Sequence, residues 1–181
     1  FGANPDALIC QTEEIWIRKG RRVNPKVKHK KPSGMIFEPS LHLCLVSPSA
    51  VMLDRRIFES KGLFDESMTV CEDYDLWLRI SHDTPVYLID KPCTVKYGGH
   101  EDQLSGMHSQ DKFRIKSIIN LIESRVLTGP QEDAAKAVLH DKLTIYGNGC
   151  IKRDRPEEGR QYLELIDRYC PERVEDQRHR Y

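Results

Sequence analysis

A chain of 181 residues, 39% hydrophobic and 31% charged, has the make-up of one globular domain with a real core, or of such a domain with an appendage. Lys+Arg and Asp+Glu both total 28, and a net charge of zero argues against a general polyanion binder and against an acidic solvating chain. No apolar run approaches the roughly 18 residues that a bilayer crossing needs. The sequence opens at Phe1 without a secretory signal, which fits a fragment or a processed piece. Cys10, Cys44, Cys71, Cys93, Cys150 and Cys170 show no CxxC spacing, and several sit in apolar runs such as "LHLCLV". They read as reduced, buried thiols of a cytosolic protein rather than a disulfide framework or a zinc site.

In chain order, the Asn4-Pro5-Asp6 turn leads into "ALICQTEEIWI" (7–17), whose β-branched and aromatic content predicts a strand or a long hairpin arm. "RKGRRVNPKVKHKKPSG" (18–34) holds eight Lys/Arg, no acid and two prolines, and predicts a loop. Residues 35–46, interrupted by Pro39, predict a broken helix, and "SPSAVMLD" (47–54) a buried strand. "RRIFESKG" (55–62) predicts a short helix closed by Gly62. After Asp73, Leu76, Trp77 and Ile80 mark a helical face that ends before Pro85. "PVYLID" (85–90) and "CTVKYG" (93–98) predict two short strands joined across Lys91-Pro92. "HEDQLSGMHS" (100–109) predicts a polar loop. "QDKFRIKSIINLIESRVL" (110–127) predicts an amphipathic helix, with Phe113, Ile115, Ile118, Ile119 and Ile122 on or near one face. Thr128-Gly129-Pro130 is expected to close a first domain over 1–128. A helical hairpin is expected over 129–170, its second helix opened by Pro156, and a frayed tail over 171–181.

The chemistry concentrates in "TVCEDYDLWLRIS" (69–81), where Glu72, Asp73 and Asp75 fall within four positions. Acids in a first helical turn stabilise its unpaired N–H groups by roughly 0.3–1 kcal/mol each, and that alone is one reading of Glu72 and Asp73. The other is a carboxylate at a strand-to-helix junction, on the sheet rim where α/β proteins place ligands, able to accept a proton from an attacking hydroxyl.

The order "SPSAVMLDRRIFESKGLFDESMTVCEDYDLWLRIS" resembles the second half of a family 2, GT-A-fold, inverting glycosyltransferase. Ser-Pro-Ser with an apolar strand is succeeded by a short helix, Gly-Leu-Phe-Asp-Glu, the Glu-Asp motif and a Leu-Trp-Leu-Arg helix. "VKYGGHEDQLS" is similar to the loop after that family's last core strands. The resemblance covers about Pro5 to Arg125. It implies an α/β, Rossmann-like nucleotide-diphospho-sugar transferase fold, here its C-terminal, acceptor-side part, with the helical hairpin after it. It also implies displacement at an anomeric carbon with inversion. Asp73 would be the general base, with Glu72 supporting it or contacting the acceptor. Asp65 and Glu66 would occupy an acceptor-side turn, or simply cap it. Trp77 would pack in the core or stack on a sugar. His100, after Gly98-Gly99, would contact a divalent metal (Mn²⁺ or Mg²⁺) or the diphosphate.

The implied partners are a nucleotide-diphospho-sugar donor and a saccharide or lipid-linked acceptor. The expected location is cytoplasmic, with the inner face of the membrane open to it. The basic stretch Arg18–Lys31 is read either as solvated surface or as an attractor of a diphosphate, an anionic acceptor or an anionic membrane. Without interleaved aromatics it makes no platform for nucleic acid. The family's Asp-x-Asp on an earlier strand has no counterpart here, since Asp73-Tyr74-Asp75 overlaps the Glu-Asp motif. The strand at 7–17 resembles the segment just C-terminal to that Asp-x-Asp in the family. The chain alone is therefore expected not to transfer sugar. The alternative function is a non-catalytic interaction module, with the acids as helix caps and the hairpin as a docking surface.

Overall fold

The structure, a computed structural model, describes residues 1–24, 30–98 and 110–171. The chain divides into two compact units, Phe1–His108 and Ser109–Tyr181. The sequence predicts a boundary after residue 128; in the structure the helix before that point groups with the helices after it.

The first unit is mixed α/β and is organised on β1 (Ile9–Arg18). One edge of β1 is shared by two short antiparallel partners. β2 (Arg21–Val23) pairs Trp16 with Val23, and β3 (Val51–Leu53) pairs Ile9 with Leu53. The other edge pairs in parallel with β4 (Tyr87–Gly98), from Cys10↔Tyr87 to Arg18↔Gly98. β2 corrects the expectation of a loop from residue 18. Lys19 (φ 49) and Gly20 (φ 73) both take positive φ, as a two-residue hairpin turn of right-handed twist demands, so β1 turns straight back on itself.

β4 corrects the expected pair of short strands. It is one strand, irregular where Thr12 pairs Ile89, Glu13 pairs Pro92 and Glu14 pairs Thr94. Pro92 has no N–H to give a ladder, and bulges are where strands tolerate proline. The buried strand expected over 47–54 is instead a 3₁₀ turn, Pro48–Ala50, and the three residues of β3, where Met52 is 64% exposed.

Three helices complete this unit: α1 (Phe37–His42), α2 (Arg56–Lys61) and α3 (Glu72–Ser81). Pro39 does not break α1, because it falls in the first turn, where its missing N–H would have had no intrahelical partner. Gly62 ends α2 at φ 75, its N–H bonded to the Phe58 carbonyl, as the sequence predicts. The core unites Ile9, Ile36, Val46, Ile57, Leu76, Trp77, Ile80 and Val86, drawn from β1, α2, α3 and the segments between.

The second unit holds α4 (Gln110–Glu123), α5 (Gly129–Ile151) and α6 (Pro156–Tyr169). The Thr128 amide donates to Gln131 Oε1 at 3.0 Å, capping α5. α5 and α6 pack as the predicted hairpin, with the Tyr146 and Tyr162 ring centroids 4.5 Å apart and Tyr146 Oη donating to Glu158 Oε1 at 2.7 Å. The helices meet glycine to glycine. A Cβ on Gly159 would lie 2.6 Å from the Gly147 carbonyl oxygen and 2.6 Å from Ile151 Cγ1. The obstruction includes backbone, which cannot rotate aside. Gly159→Ala is expected to lower the urea midpoint of the second unit by the equivalent of about 1–3 kcal/mol, despite alanine's better helix propensity. Far-UV circular dichroism through a urea titration checks this, and a raised midpoint would refute the close packing.

Candidate functional site

The three clustered acids have three different surroundings. α3 starts behind Cys71, held at φ 64, with no side-chain cap. Asp75 is 5% exposed and pairs with Arg79 at 2.8 Å, one helical turn on; Arg79 also donates to the Leu63 carbonyl at 2.8 Å and to the Lys61 carbonyl. Asp75 thus clamps the α2–α3 connection. Glu72 is half-buried in the first turn. Asp73 accepts the Tyr74 amide at 2.7 Å through Oδ1, and its Oδ2 lies 3.5 Å from the Cys44 thiol. Tyr74, fully buried, donates to the Leu41 carbonyl at 2.7 Å, which ties α3 to α1 and sets the segment after α1 against Asp73.

Asp65, Glu66 and Trp77, also singled out by sequence, do not line the cleft that Asp73 faces. Asp65 folds its own turn, accepting the Ser67 amide at 2.9 Å and the Ser67 hydroxyl at 2.6 Å, while Glu66 is exposed. Trp77 is 2% exposed in the core, with Phe64 edge-on at 6.4 Å. His100 lies outside the described residues.

Asp73 opens onto a cleft of about 170 Å³ lined by Glu14, Trp16, Lys31, Cys44, Leu45, Val46, Ser47, Pro48 and Lys96. Of the residues that line the cleft, Asp73 and Lys31, the latter as the end of the basic stretch Arg18–Lys31, were singled out in the sequence. Glu14 and Trp16 alternate on β1, and Lys96 is the register partner of Trp16 on β4. Lys31 comes from the segment before α1, which is stapled just after it to β1 and to Val86, the residue ahead of β4. Gln11 Nε2 donates to the Pro32 carbonyl at 2.9 Å, Ser33 Oγ donates to the Val86 carbonyl at 3.1 Å, and Gly34 and Val86 exchange backbone bonds of 2.7 and 2.9 Å.

The floor of the cleft is a buried ionic group. The Glu14 side chain is 3% exposed; its Oε2 accepts Trp16 Nε1 at 2.9 Å, and its Oε1 lies 3.5 Å from Lys31 Nζ and 4.0 Å from Lys96 Nζ. Lys96 Nζ also donates to Ser47 Oγ at 2.9 Å and sits 5.8 Å from the centre of the Trp16 ring. Burial by itself would raise the Glu14 pKa. Hydrogen bonding from Ser47 and Trp16 and the two ammoniums outweigh it, and the carboxyl titrates below its ordinary range. Burial lowers the Lys31 pKa, opposed mainly by the attraction of Glu14.

Chemically, the site offers a carboxylate at a helix start, facing a walled cleft whose floor carries ammonium donors. Among the described residues no three His, Cys, Asp or Glu side chains gather to hold a metal ion, and no helix is long and apolar enough to cross a membrane. None of the six cysteines is in a disulfide; Cys10, Cys150 and Cys170 are buried, Cys44 and Cys71 half-buried, and Cys93 is exposed, contrary to a uniformly buried set.

No protein-family profile matches the chain, and no solved structure matches it. It is similar to an uncharacterized glycosyltransferase of Rickettsia conorii and to another of Rickettsia felis. Each is 23% identical over 107 residues, 55% of this chain. The chain spans 17% of the length of either relative. The similarity is thus to one part of longer proteins that carry the glycosyltransferase name.

Removing the Glu14 charge would leave Lys31 buried beside a neutral group. Glu14→Gln is expected to cost about 3 kcal/mol of stability, and adding Lys31→Met to recover most of it, because the pair then disappears together. With a depressed folded pKa, the Glu14 contribution is fully present above the unfolded carboxylate value of about 4.3 and is lost as pH falls through the lower folded one. Glu14→Gln should therefore flatten the acid limb of the stability profile, measured by urea unfolding at a series of pH values. An acid limb unchanged by the substitution would refute the assignment.

Proposed function

We propose that this chain is the acceptor-side part of a family 2, GT-A-fold, inverting glycosyltransferase, with Asp73 as its general base. The observation that supports the reading best is the placement of Asp73. It is the acid of the cluster that lines the cleft, whereas Asp75 is consumed by Arg79. The likeness to two proteins named glycosyltransferase supports the same class.

In this reading the acceptor enters the cleft with a hydroxyl against Asp73 Oδ2. The carboxylate takes the hydroxyl proton as the oxygen attacks the anomeric carbon of a nucleotide-diphospho-sugar. The new C–O bond forms as the bond to the diphosphate breaks, so configuration inverts and the nucleotide diphosphate leaves with the electron pair. Oδ1, held by the Tyr74 amide, fixes the orientation of the carboxylate. Glu72 would support Asp73 or contact the acceptor. Asp65 and Glu66 would act through the turn that Asp65 organises. A divalent metal, Mn²⁺ or Mg²⁺, would neutralise charge on the leaving diphosphate. The described residues do not assemble a site for it, and the proton transfer assigned to Asp73 does not depend on it.

Asp73→Asn keeps the size and the hydrogen bond to Tyr74 while removing the base. In the longer protein to which this chain belongs, turnover against a panel of nucleotide sugars is expected to fall roughly 10²- to 10⁴-fold, with the fold and donor binding retained. Turnover at the wild-type level would overturn the assignment.

A further inference from the structure

We propose that the cleft beside Asp73 selects an acceptor sugar bearing an anionic group, a carboxylate or a phosphate, which Lys31 and Lys96 bind at the cleft floor. The inference rests on the acceptor-side reading above and adds to it the chemical class of acceptor.

Two ammoniums share one carboxylate. Glu14 Oε2 is already taken by Trp16, and Oε1 faces Lys31 at 3.5 Å and Lys96 at 4.0 Å, both long for a charge-assisted hydrogen bond. Lys31 is 7% exposed, and among the described residues its Nζ has no acceptor within hydrogen-bond geometry. An ammonium carries three N–H donors, and one long contact to Glu14 leaves it incompletely matched for a buried charge. Gln11, Ser33 and Gly34 hold the Lys31 segment in place, so the lysine is kept in the cleft wall rather than released to solvent. Anionic oxygens arriving in the cleft would supply the acceptors that Glu14 leaves short.

Lys96 adds the access that Lys31 lacks. Its side chain is 42% exposed, and it is steadied by Ser47 Oγ and by the face of Trp16. The other wall, Leu45, Val46 and Pro48, is apolar and suits the C–H face of a sugar ring rather than a bare ion. Charge also orients the ligand. Asp73 in the same cleft repels an anion, so the anionic group is driven to the lysines while a neutral hydroxyl turns to the base. Lys31 and Lys96 are thus specificity-determining residues, and Glu14 is a positioning residue that faces both ammoniums.

The test titrates the full chain with D-glucuronate, D-glucose 6-phosphate, D-glucose and inorganic phosphate, following backbone and Lys Nζ resonances by NMR. One of the two charged sugars should bind about tenfold or more tighter than glucose and lose that advantage in Lys96→Met, a half-exposed position whose change the fold should tolerate. Lys31→Met, paired with Glu14→Gln so that the net charge of the floor is unchanged, should weaken the preference by removing one of the two ammoniums. Preference for glucuronate assigns a carboxylate, and preference for glucose 6-phosphate a phosphate. Equal binding of glucose and the charged sugars, no binding of either charged sugar at millimolar concentration, or a preference untouched by both sets of variants would overturn the proposal. Inorganic phosphate binding as tightly as the sugar phosphate would also overturn it, by showing a free-anion site. Charge preference is read without turnover. Its absence beside an inactive Asp73→Asn removes this inference alone, and its presence beside a fully active Asp73→Asn removes the base assignment alone.

Discussion

The parallel pairing of β1 with β4 is the constraint on which the cleft depends, and in particular the irregularity in its middle. Between Thr12↔Ile89 and Glu14↔Thr94 the pairing uses three more residues on β4 than on β1. Side chains in a strand alternate between faces, so an odd offset exchanges which β4 residues share a face with Glu14 and Trp16. Without it Cys93, not Lys96, would stand beside Trp16. With it Lys96 reaches Glu14, Ser47 and the Trp16 ring, while Val95 and Tyr97 take the opposite face, next to Ile15 and Ile17. The bulge around Pro92 therefore selects the charge on the cleft floor.

The other wall depends on contacts made far from the cleft. Tyr74 reaches the end of α1, so the chain leaving that helix must pass Asp73, and Cys44 through Pro48 become cleft lining. Arg79 draws the end of α2 to Asp75, which holds α3 at its outer side and leaves Asp73 facing the cleft. The crowding of acids at the start of α3 thus resolves into a division of labour. Asp75 is structural, Asp73 lines the cavity, and Glu72 stays in the first turn, where a negative charge suits the helix dipole. The same separation keeps the Glu14–lysine group and the Asp73 carboxylate as two distinct charges in one cavity, which is what gives the cavity a direction.

Much of the local structure was readable from residues alone. Gly62 marked a helix end because the next turn needs positive φ, and Pro156 marked a helix start because its missing N–H is harmless there. The misreadings share a cause. The hairpin β1–β2, the continuity of β4 and the shortness of β3 are all decided by a partner strand, whose presence a local window cannot register. A Lys-Gly turn in a basic stretch reads as loop until β1 is known to need an edge. Trp77, with two readings open on the sequence, is placed in the core by its neighbours Phe64 and Ile80.

By itself the sequence determined most of the helices, the ends marked by Gly62 and Pro156 and the acidic helix start, because these arise from 3.6-residue periodicity, capping chemistry and charge within a single turn. It also carried the order of motifs that resembles a glycosyltransferase. Only the tertiary structure decided that Glu14, Lys31, Ser47, Asp73 and Lys96 line one cleft. They come from β1, a stapled segment, a 3₁₀ approach, α3 and β4, with no common spacing to betray them. The register of two strands and the burial of an ammonium beside a shared carboxylate are properties of packing, and no stretch of chain contains them.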